Sequence, residues 1–252
     1  MSGHSKWSTI KRQKESTDKK RGQAFTKLAK IIELAARGGV DPDTNFKLRM
    51  AIEKAKSINM PKSNIERILE RVSKGDDGAH LQEILFEGYA QEGVAVLVEA
   101  TTDNPNRTVS DVRNAFSKSG ANLGERGSVS HLFIQSGSII ITCEGKNREE
   151  LMLSIMDCEG VDDIEAMGEE LIIYTHPDKL HAVKKLLEEK SLTVTEAEIV
   201  WKPKIMVDVT DPEKARKLIT FLDQLEDNDD VQKVYSNINI PEDVINNVNL
   251  RD

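Results

Sequence analysis

The sequence has very few aromatic residues: phenylalanine, tyrosine and tryptophan together make up 4% of its 252 residues. So small a share argues against broad aromatic platforms on which nucleobases stack. There are only two cysteines, Cys143 and Cys158, each inside an apolar stretch and neither in a CxxC pair. This pattern predicts reduced core thiols rather than a disulfide framework. No apolar run reaches the length of a membrane span and the basic start holds no apolar signal segment, so we expect a cytoplasmic protein.

The sequence also lacks the short motifs that carry much enzyme chemistry. It has no Walker loop, no GxGxxG after a predicted strand and no GxSxG. The five histidines, at positions 4, 80, 131, 176 and 181, do not have the spacing of metal ligands. We therefore expect no cofactor, no metal ion and no enzyme activity. One alternative stays open, in which Glu99, Asp103 and Asp111 hold Mg²⁺.

Charge is abundant in the chain and is divided unevenly along it. Charged residues make up 31% of the chain, and the net charge is −8. Residues 1–75 hold 18 lysines and arginines against 8 acidic residues, a net +10, whereas the remainder holds 17 against 35, a net −18. Clustered lysine and arginine bind an anionic polymer favourably because its counterions are released. The division predicts an N-terminal nucleic-acid-binding module on an acidic body, with a merely solvated terminus as the alternative.

The densest positive charge lies in the first thirty residues, where nine lysines and arginines oppose only Glu15 and Asp18. We predict that this segment contacts nucleic acid through His4, Lys6, Trp7, Lys11, Arg12, Lys14, Lys19, Lys20, Arg21 and Lys27. Two roles for Trp7 stay open: it stacks on a base, or it anchors the basic arm to the helices that follow.

Residues 1–76 are predicted to form a basic arm and a three-helix bundle. A short helix is expected around Ile10 to Ser16. From Gln23 apolar residues recur at helical spacing until Gly38-Gly39 ends the pattern. Asp41-Pro42 is expected to open the second helix and Pro61 the third, which stops at Lys74-Gly75. Each helix has one apolar stripe, and three such stripes facing inward make a small core.

After a polar linker at residues 76–80 the pattern changes to alternating strands and helices. Residues 136–202 give the order βαββαβ, which is typical of a ferredoxin-like domain. The segments on either side, 77–135 and 203–240, are predicted to form a second ferredoxin-like domain that the first interrupts. This arrangement avoids half-sheets with unpaired edges. The expected fold class is therefore multidomain α+β, with a fraying tail at 241–252.

Two details of the segment that follows the linker bear on its organisation. Val129–Ile134 and Ser138–Cys143 are predicted as separate strands, and residues 120–127, which contain three glycines, as a mobile connector. A loop with Asp103, Asn104, Arg107 and Thr108 leads from a buried strand into a helix. It is either an anion site at a helix N-terminus or a contact between domains, and the residues alone leave both readings open.

Motifs dispersed over nearly the whole chain are similar to those of the YebC/PmpR family. They are Gly3-His4-Ser5-Lys6-Trp7, Lys20-Arg21-Gly22, Asn59-Met60-Pro61-Lys62, Glu87-Gly88-Tyr89, Thr102-Asp103-Asn104, Asn106-Arg107-Thr108, Gly127-Ser128-Val129 and the run from Asp227 to Val234. The resemblance implies a helical bundle followed by two α+β domains, one inserted in the other, and no enzyme site. It also implies regulation of gene expression through nucleic acid.

The resemblance leaves two targets open. Many members of the family are described as transcriptional regulators that bind DNA. Others, including mitochondrial relatives, are translational activators that work on messenger RNA or at the ribosome and ease the synthesis of proline-rich stretches. A long basic arm ahead of a compact bundle suits structured RNA, and no helix pair reads as a helix-turn-helix with a polar recognition face. We expect a DNA or RNA partner, with the ribosome as an alternative, and neither a membrane nor a small-molecule substrate.

Overall fold

The computed structural model describes residues 18–75, 81–143, 145, 147–241 and 244–245, with side chains from residue 22 onward. Three helices come first, and mixed strands and helices follow. The predicted α+β class is confirmed at this level. Within the described ranges, no helix combines the length and apolarity needed to cross a bilayer.

The N-terminal unit, called the bundle below, consists of α1 (Asp18–Ala36), α2 (Phe46–Ser57) and α3 (Lys62–Ser73). The second helix begins later than predicted because Asn45 provides its cap. The Asn45 Oδ1 accepts a hydrogen bond from the Leu48 N–H, and its Nδ2 donates to the carbonyls of Ala35 and Gly39. The buried members of the core are Leu28, Ile32, Ala36, Leu48, Ala51, Ile52, Ala55, Met60, Ile65 and Ile68.

The remainder, called the body, begins with an outer unit. Its sheet has the strand order β3-β1-β2-β9 and is formed by β1 (Gln82–Tyr89), β2 (Ala95–Thr102), β3 (Asn122–Leu123) and β9 (Val231–Ser236). One face packs against α4 (Pro105–Lys118) and α7 (Pro212–Glu226), where the Phe116 and Phe221 rings meet edge to face at 5.0 Å.

The sequence pattern predicts a strand at Ile205–Val209, but this segment does not join the sheet. Only β8 (Val207–Asp208) forms there, and it pairs in parallel with β10 (Ile238–Asn239) in a separate two-stranded sheet. In the main sheet, β1 is the antiparallel neighbour of β2 in place of the predicted strand.

The inserted unit contains β4 (Phe133–Thr142), β5 (Val161–Met167), β6 (Glu170–Thr175) and β7 (Val194–Pro203), in the order β5-β6-β4-β7. All neighbouring pairs are antiparallel. Helices α5 (Arg148–Met156) and α6 (Leu180–Glu189) cover one face, with Ile139, Ile141, Leu171 and Ile173 beneath them.

The prediction of two strands at 129–134 and 138–143 is wrong, because a single strand, β4, covers most of this segment. A 3-10 turn at Ser130–Leu132 precedes one continuous strand. Gly137 lies inside this strand. The position requires glycine because a Cβ there would lie 2.3 Å from the Thr175 Oγ1 and 3.0 Å from the Leu180 Cβ. Strands β4 and β7 pair from Phe133 opposite Pro203 to Ile141 opposite Val194, and so run without a break from the outer unit into the inserted one.

Candidate nucleic-acid interface

The predicted contact residues fall into two groups. His4, Lys6, Trp7, Lys11, Arg12 and Lys14, together with the helix predicted around Ile10 to Ser16, lie outside the described residues. Lys19, Lys20 and Arg21 lie in the first turn of α1. The side chains of these three residues lie outside the described part of the structure, so their contacts with nucleic acid stay predictions.

Lys27 does not have the exposed position that the prediction requires. It lies with Gln23 and Lys30 on one side of α1, and this side packs against residues 226–230 at the end of α7. The Lys27 Nζ donates to the Glu226 carbonyl, where the helix macrodipole is negative. In this structure Lys27 joins the bundle to the body, and its contact with nucleic acid stays a prediction.

Asp230 is the centre of this contact. Its side chain, only 5% exposed, accepts from the Lys30 Nζ at 2.6 Å and from an Arg107 guanidinium nitrogen at 2.8 Å. The Thr108 and Thr102 hydroxyls donate to the same carboxylate at 2.7 and 3.2 Å. Burial alone would raise the pKa of Asp230, but the hydrogen bonds from Lys30, Arg107 and Thr108 lower it to about 2.

This geometry bears on the two readings of the Asp103–Thr108 loop. The Asn104 Oδ1 caps α4 by accepting from the Arg107 N–H at 3.1 Å. The Arg107 guanidinium is already paired with Asp103 and Asp230, so the reading of the loop as an anion site is not supported. The loop's partner Asp230 belongs to the same outer unit, and Asp230 in turn binds Lys30 of the bundle. Sequence reasoning missed Asp230, 123 residues from Arg107, although it lies in the Asp227–Val234 run that carries the family likeness.

A second ionic contact joins α2 to the inserted unit. The Lys54 Nζ lies 2.9 Å from the Glu196 Oε1 and 2.5 Å from the Glu198 Oε2, and the Lys233 Nζ lies 2.5 Å from the other Glu198 oxygen. Burial opposes the charge on Glu198, but the two lysines outweigh it and lower the pKa of this carboxyl well below its usual range. A cleft of about 260 Å³ opens beside these residues, with Ile140, Ile172 and Val200 among its lining side chains.

Two of the three carboxylates weighed as a Mg²⁺ site, Glu99 and Asp103, have protein partners. The two oxygens of Glu99 accept from the Trp201 Nε1 at 2.8 Å and from the Tyr235 hydroxyl at 3.2 Å, whereas Asp103 pairs with Arg107. In the part of the chain that the structure describes, no three His, Cys, Asp or Glu side chains are grouped so as to hold a metal ion.

The loop predicted as a mobile connector is held in place by Glu87. This carboxylate, 2% exposed, accepts from the backbone N–H groups of Gly127, Val129 and Ser130 at 2.7, 2.9 and 2.8 Å. Although burial would raise the pKa of Glu87, these three donors lower it. The loop is therefore a fixed part of the outer unit.

Comparisons with known proteins match this architecture. The family description "TACO1/YebC protein N-terminal domain" matches residues 5–75, and "TACO1/YebC second and third domain" matches residues 81–238. A "probable transcriptional regulatory protein" of Syntrophomonas wolfei is 45% identical over 249 residues, covering 97% of this chain and 99% of the relative. One of the same description from Aquifex aeolicus is 44% identical over 249 residues, covering 98% and 100%.

A solved structure shows the same fold. The crystal structure of a conserved hypothetical protein from Aquifex aeolicus superimposes with a TM-score of 0.83 at 45% sequence identity, covering 89% of this chain and 93% of that one. Because the family matches and the relatives span nearly the whole sequence, the resemblance to YebC proteins is confirmed. The chain belongs to the TACO1/YebC family.

Proposed function

We propose that this chain is a cytoplasmic nucleic-acid-binding regulator of gene expression, a DNA-binding transcriptional regulatory protein without enzyme activity. The basic N-terminal unit supplies the contact, and the body holds that unit in position. The observation that carries the proposal is the charge division: net +10 in residues 1–75 against −18 in the rest. The relatives' description as probable transcriptional regulatory proteins supports it. Two buried cysteines without a disulfide suit a reducing compartment.

Lys19, Lys20 and Arg21, in the first turn of α1, belong to the proposed interface. Lys27, Lys30 and Lys54 are bound to the body, so we expect the phosphate contacts to come from Lys19–Arg21 and the arm. Contacts of this kind position a duplex without reading its sequence. We therefore expect an affinity that depends strongly on salt and weakly on base sequence.

The test is a triple variant, Lys19→Ala/Lys20→Ala/Arg21→Ala, with fluorescence anisotropy on a labelled DNA duplex at several salt concentrations. Each lost phosphate contact reduces the slope of log affinity against log salt by about 0.9, so we expect a decrease of about 2–3. The matched control, Lys47→Ala/Lys56→Ala/Lys62→Ala, removes three exposed cations elsewhere on the bundle. Equal losses in both variants would contradict a localised interface.

A second candidate is a ribosome-associated translation factor that contacts ribosomal or messenger RNA. The acidic body favours it, because a surface of net charge −18 is repelled by a long duplex and suits a target met at a single place. Sedimentation of the native protein from lysate separates the two. Migration with ribosomes that survives DNase and is lost with RNase supports translation, whereas free migration with recovery of crosslinked DNA supports transcription.

We also propose that the inserted unit is a ferredoxin-like domain between residues 136 and 202. The order β5-β6-β4-β7 and the two helices on one face support this assignment. The outer unit, with β1 beside β2 in its sheet, does not have the same strand order. A fold comparison of residues 133–203 alone tests the assignment, and a different strand connectivity in the best-matching domains would contradict it.

A further inference from the structure

The bundle is attached to the body mainly through polar groups. Its lysines 27, 30 and 54 meet the Glu226 carbonyl, the Asp230 carboxylate and the carboxylates of Glu196 and Glu198. We call this set of contacts the ionic seam. Among the described residues, the bundle's hydrophobic core cluster has members only between residues 25 and 72, so the bundle and the body do not share a core. The bundle can therefore separate from the body without exposing its core.

The lysines of the ionic seam continue the proposed interface. Lys27 and Lys30 lie on α1, the helix whose first turn holds Lys19–Arg21. At 3.6 residues per turn and about 1.5 Å rise per residue, Lys19 and Lys30 lie on the same side of α1 about 16 Å apart along the axis, which one strand spans with about five phosphates. Lys54, the third lysine, lies near the same part of the body. Glu226, whose carbonyl binds Lys27, also lines the cleft beside Lys54.

The groups now bound by these lysines resemble a phosphate backbone chemically. Carboxylates and carbonyls at a helix C-terminus are anionic or partly negative oxygen acceptors, as phosphate oxygens are. The acidic body thus presents to the bundle the kind of ligand that a nucleic acid would present. Ligands of the same charge that use the same cations exclude each other.

We propose that Lys27, Lys30 and Lys54 form a second phosphate-binding row, which the body's own carboxylates close in the free protein. Binding of a nucleic-acid backbone to this row and docking of the bundle on the body compete. The inference rests on the proposed function and goes beyond it by naming an autoinhibitory contact. Because coupling is reciprocal, weakening the docking raises the affinity for nucleic acid.

The test uses the full chain and Glu196→Gln/Glu198→Gln, which leaves Lys54 without its two anionic partners. The probes are a labelled DNA duplex and a single-stranded RNA of the same sequence. We expect affinity for at least one probe to rise about tenfold, within the usual range of coupling between sites. The control Glu149→Gln/Glu150→Gln makes the same charge change on the exposed start of α5. An equal rise in the control would overturn the proposal, since only overall charge would then matter.

A double-mutant cycle assigns the gain to Lys54. Adding Lys54→Ala to Glu196→Gln/Glu198→Gln should remove the gain. Lys54→Ala alone should change affinity less than about twofold, because it removes a docking contact and a phosphate contact together and the two effects oppose each other. An equal loss in both backgrounds would overturn the proposal, because Lys54 would then contact the nucleic acid in the docked state.

Circular dichroism checks that the double glutamine variant folds. If it does not, Lys27→Ala/Lys30→Ala/Lys54→Ala replaces it, since the bundle keeps its own core. The salt slope should then fall by about 2–3 from wild type, and an unchanged slope overturns the proposal. Wild-type protein that binds neither probe contradicts the proposed function and this inference together. Binding that is unaffected by these variants overturns the inference alone.

Discussion

Two of the contacts between the three units differ in their chemistry. The bundle meets the body through the ionic seam, where Lys30 and Lys54 face Asp230, Glu196 and Glu198. The inserted unit meets the outer unit through two continuous strands and an apolar cluster. We call this cluster the apolar seam: Ala95, Leu97, Val129, Phe133, Val200, Trp201 and Tyr235.

This difference in chemistry predicts which units of the molecule move together. Apolar burial is insensitive to salt, and strands β4 and β7 tie the inserted unit to the outer one covalently at both ends. Ion pairs near a surface weaken as salt screens them, and they can exchange one anionic partner for another. The body is therefore expected to behave as one rigid piece, and the bundle as a piece that can be released.

The largest expected effect comes from the apolar seam. Phe133, 3% exposed, fills the cluster, so Phe133→Ala should lower the free energy of unfolding by about 3–5 kcal/mol in urea titration. The neighbouring Ile134 is 51% exposed, and Ile134→Ala should cost less than about 1 kcal/mol. Similar losses in the two variants would show that this seam is not a packed core.

The next largest loss of stability is expected from a change at Asp230, the central carboxylate of the ionic seam. Asp230→Asn removes the charge that Lys30 and Arg107 share, and we expect a loss of about 2 kcal/mol in unfolding free energy at pH 7. Asp229→Asn is the matched control, since that side chain accepts only a 3.4 Å hydrogen bond from Gln23 among the described contacts. A smaller loss for Asp230→Asn than for the control would refute its central role.

Acid should weaken the same contact. The pKa of Asp230 is about 2 in the folded protein and ordinarily 3.8, so the ionised form favours folding. Its contribution is complete above pH 3.8 and is lost as the pH falls toward 2. Unfolding free energy measured between pH 4 and 2 should therefore fall more steeply in wild type than in Asp230→Asn. Parallel curves would mean that Asp230 titrates normally.

Salt should produce the smallest effect. Raising NaCl to 1 M shortens the Debye length to about 3 Å and weakens the ionic seam by roughly 1 kcal/mol, while the apolar seam is unaffected. Small-angle X-ray scattering should show a larger radius of gyration at 1 M than at low salt, with no loss of secondary structure. An unchanged radius would mean that contacts other than ion pairs hold the bundle.

The sequence predicted best those elements whose signals are local. The apolar stripes of the three bundle helices, the proline at the start of α7 and the order of strands and helices in the inserted unit depend on neighbours in the chain. Strand β4 was predicted as two strands, and Gly137 lies between their predicted bounds. The role of Gly137, to let Thr175 and Leu180 approach the strand, depends on residues far along the chain.

The candidate interface was predicted only in part for the same reason. Composition identified the basic unit, but it could not show that Lys27 binds the end of α7 or that Arg107 pairs with Asp230. Both partners lie more than a hundred residues away from these cations. Likewise, no local sequence pattern indicates that the Glu87 carboxylate holds the loop up to Ser130 in place.

Hydrogen exchange of the wild-type protein, with and without a saturating nucleic acid, tests the central claim most directly. If the basic N-terminal unit carries the interface, amides in peptides covering residues 1–36 become protected. No change is expected in residues 133–142 and 194–203, because the ribbon of β4 and β7 remains packed. Protection confined to the body, with exchange in residues 1–36 unchanged, would contradict the claim that the basic N-terminal unit carries the interface.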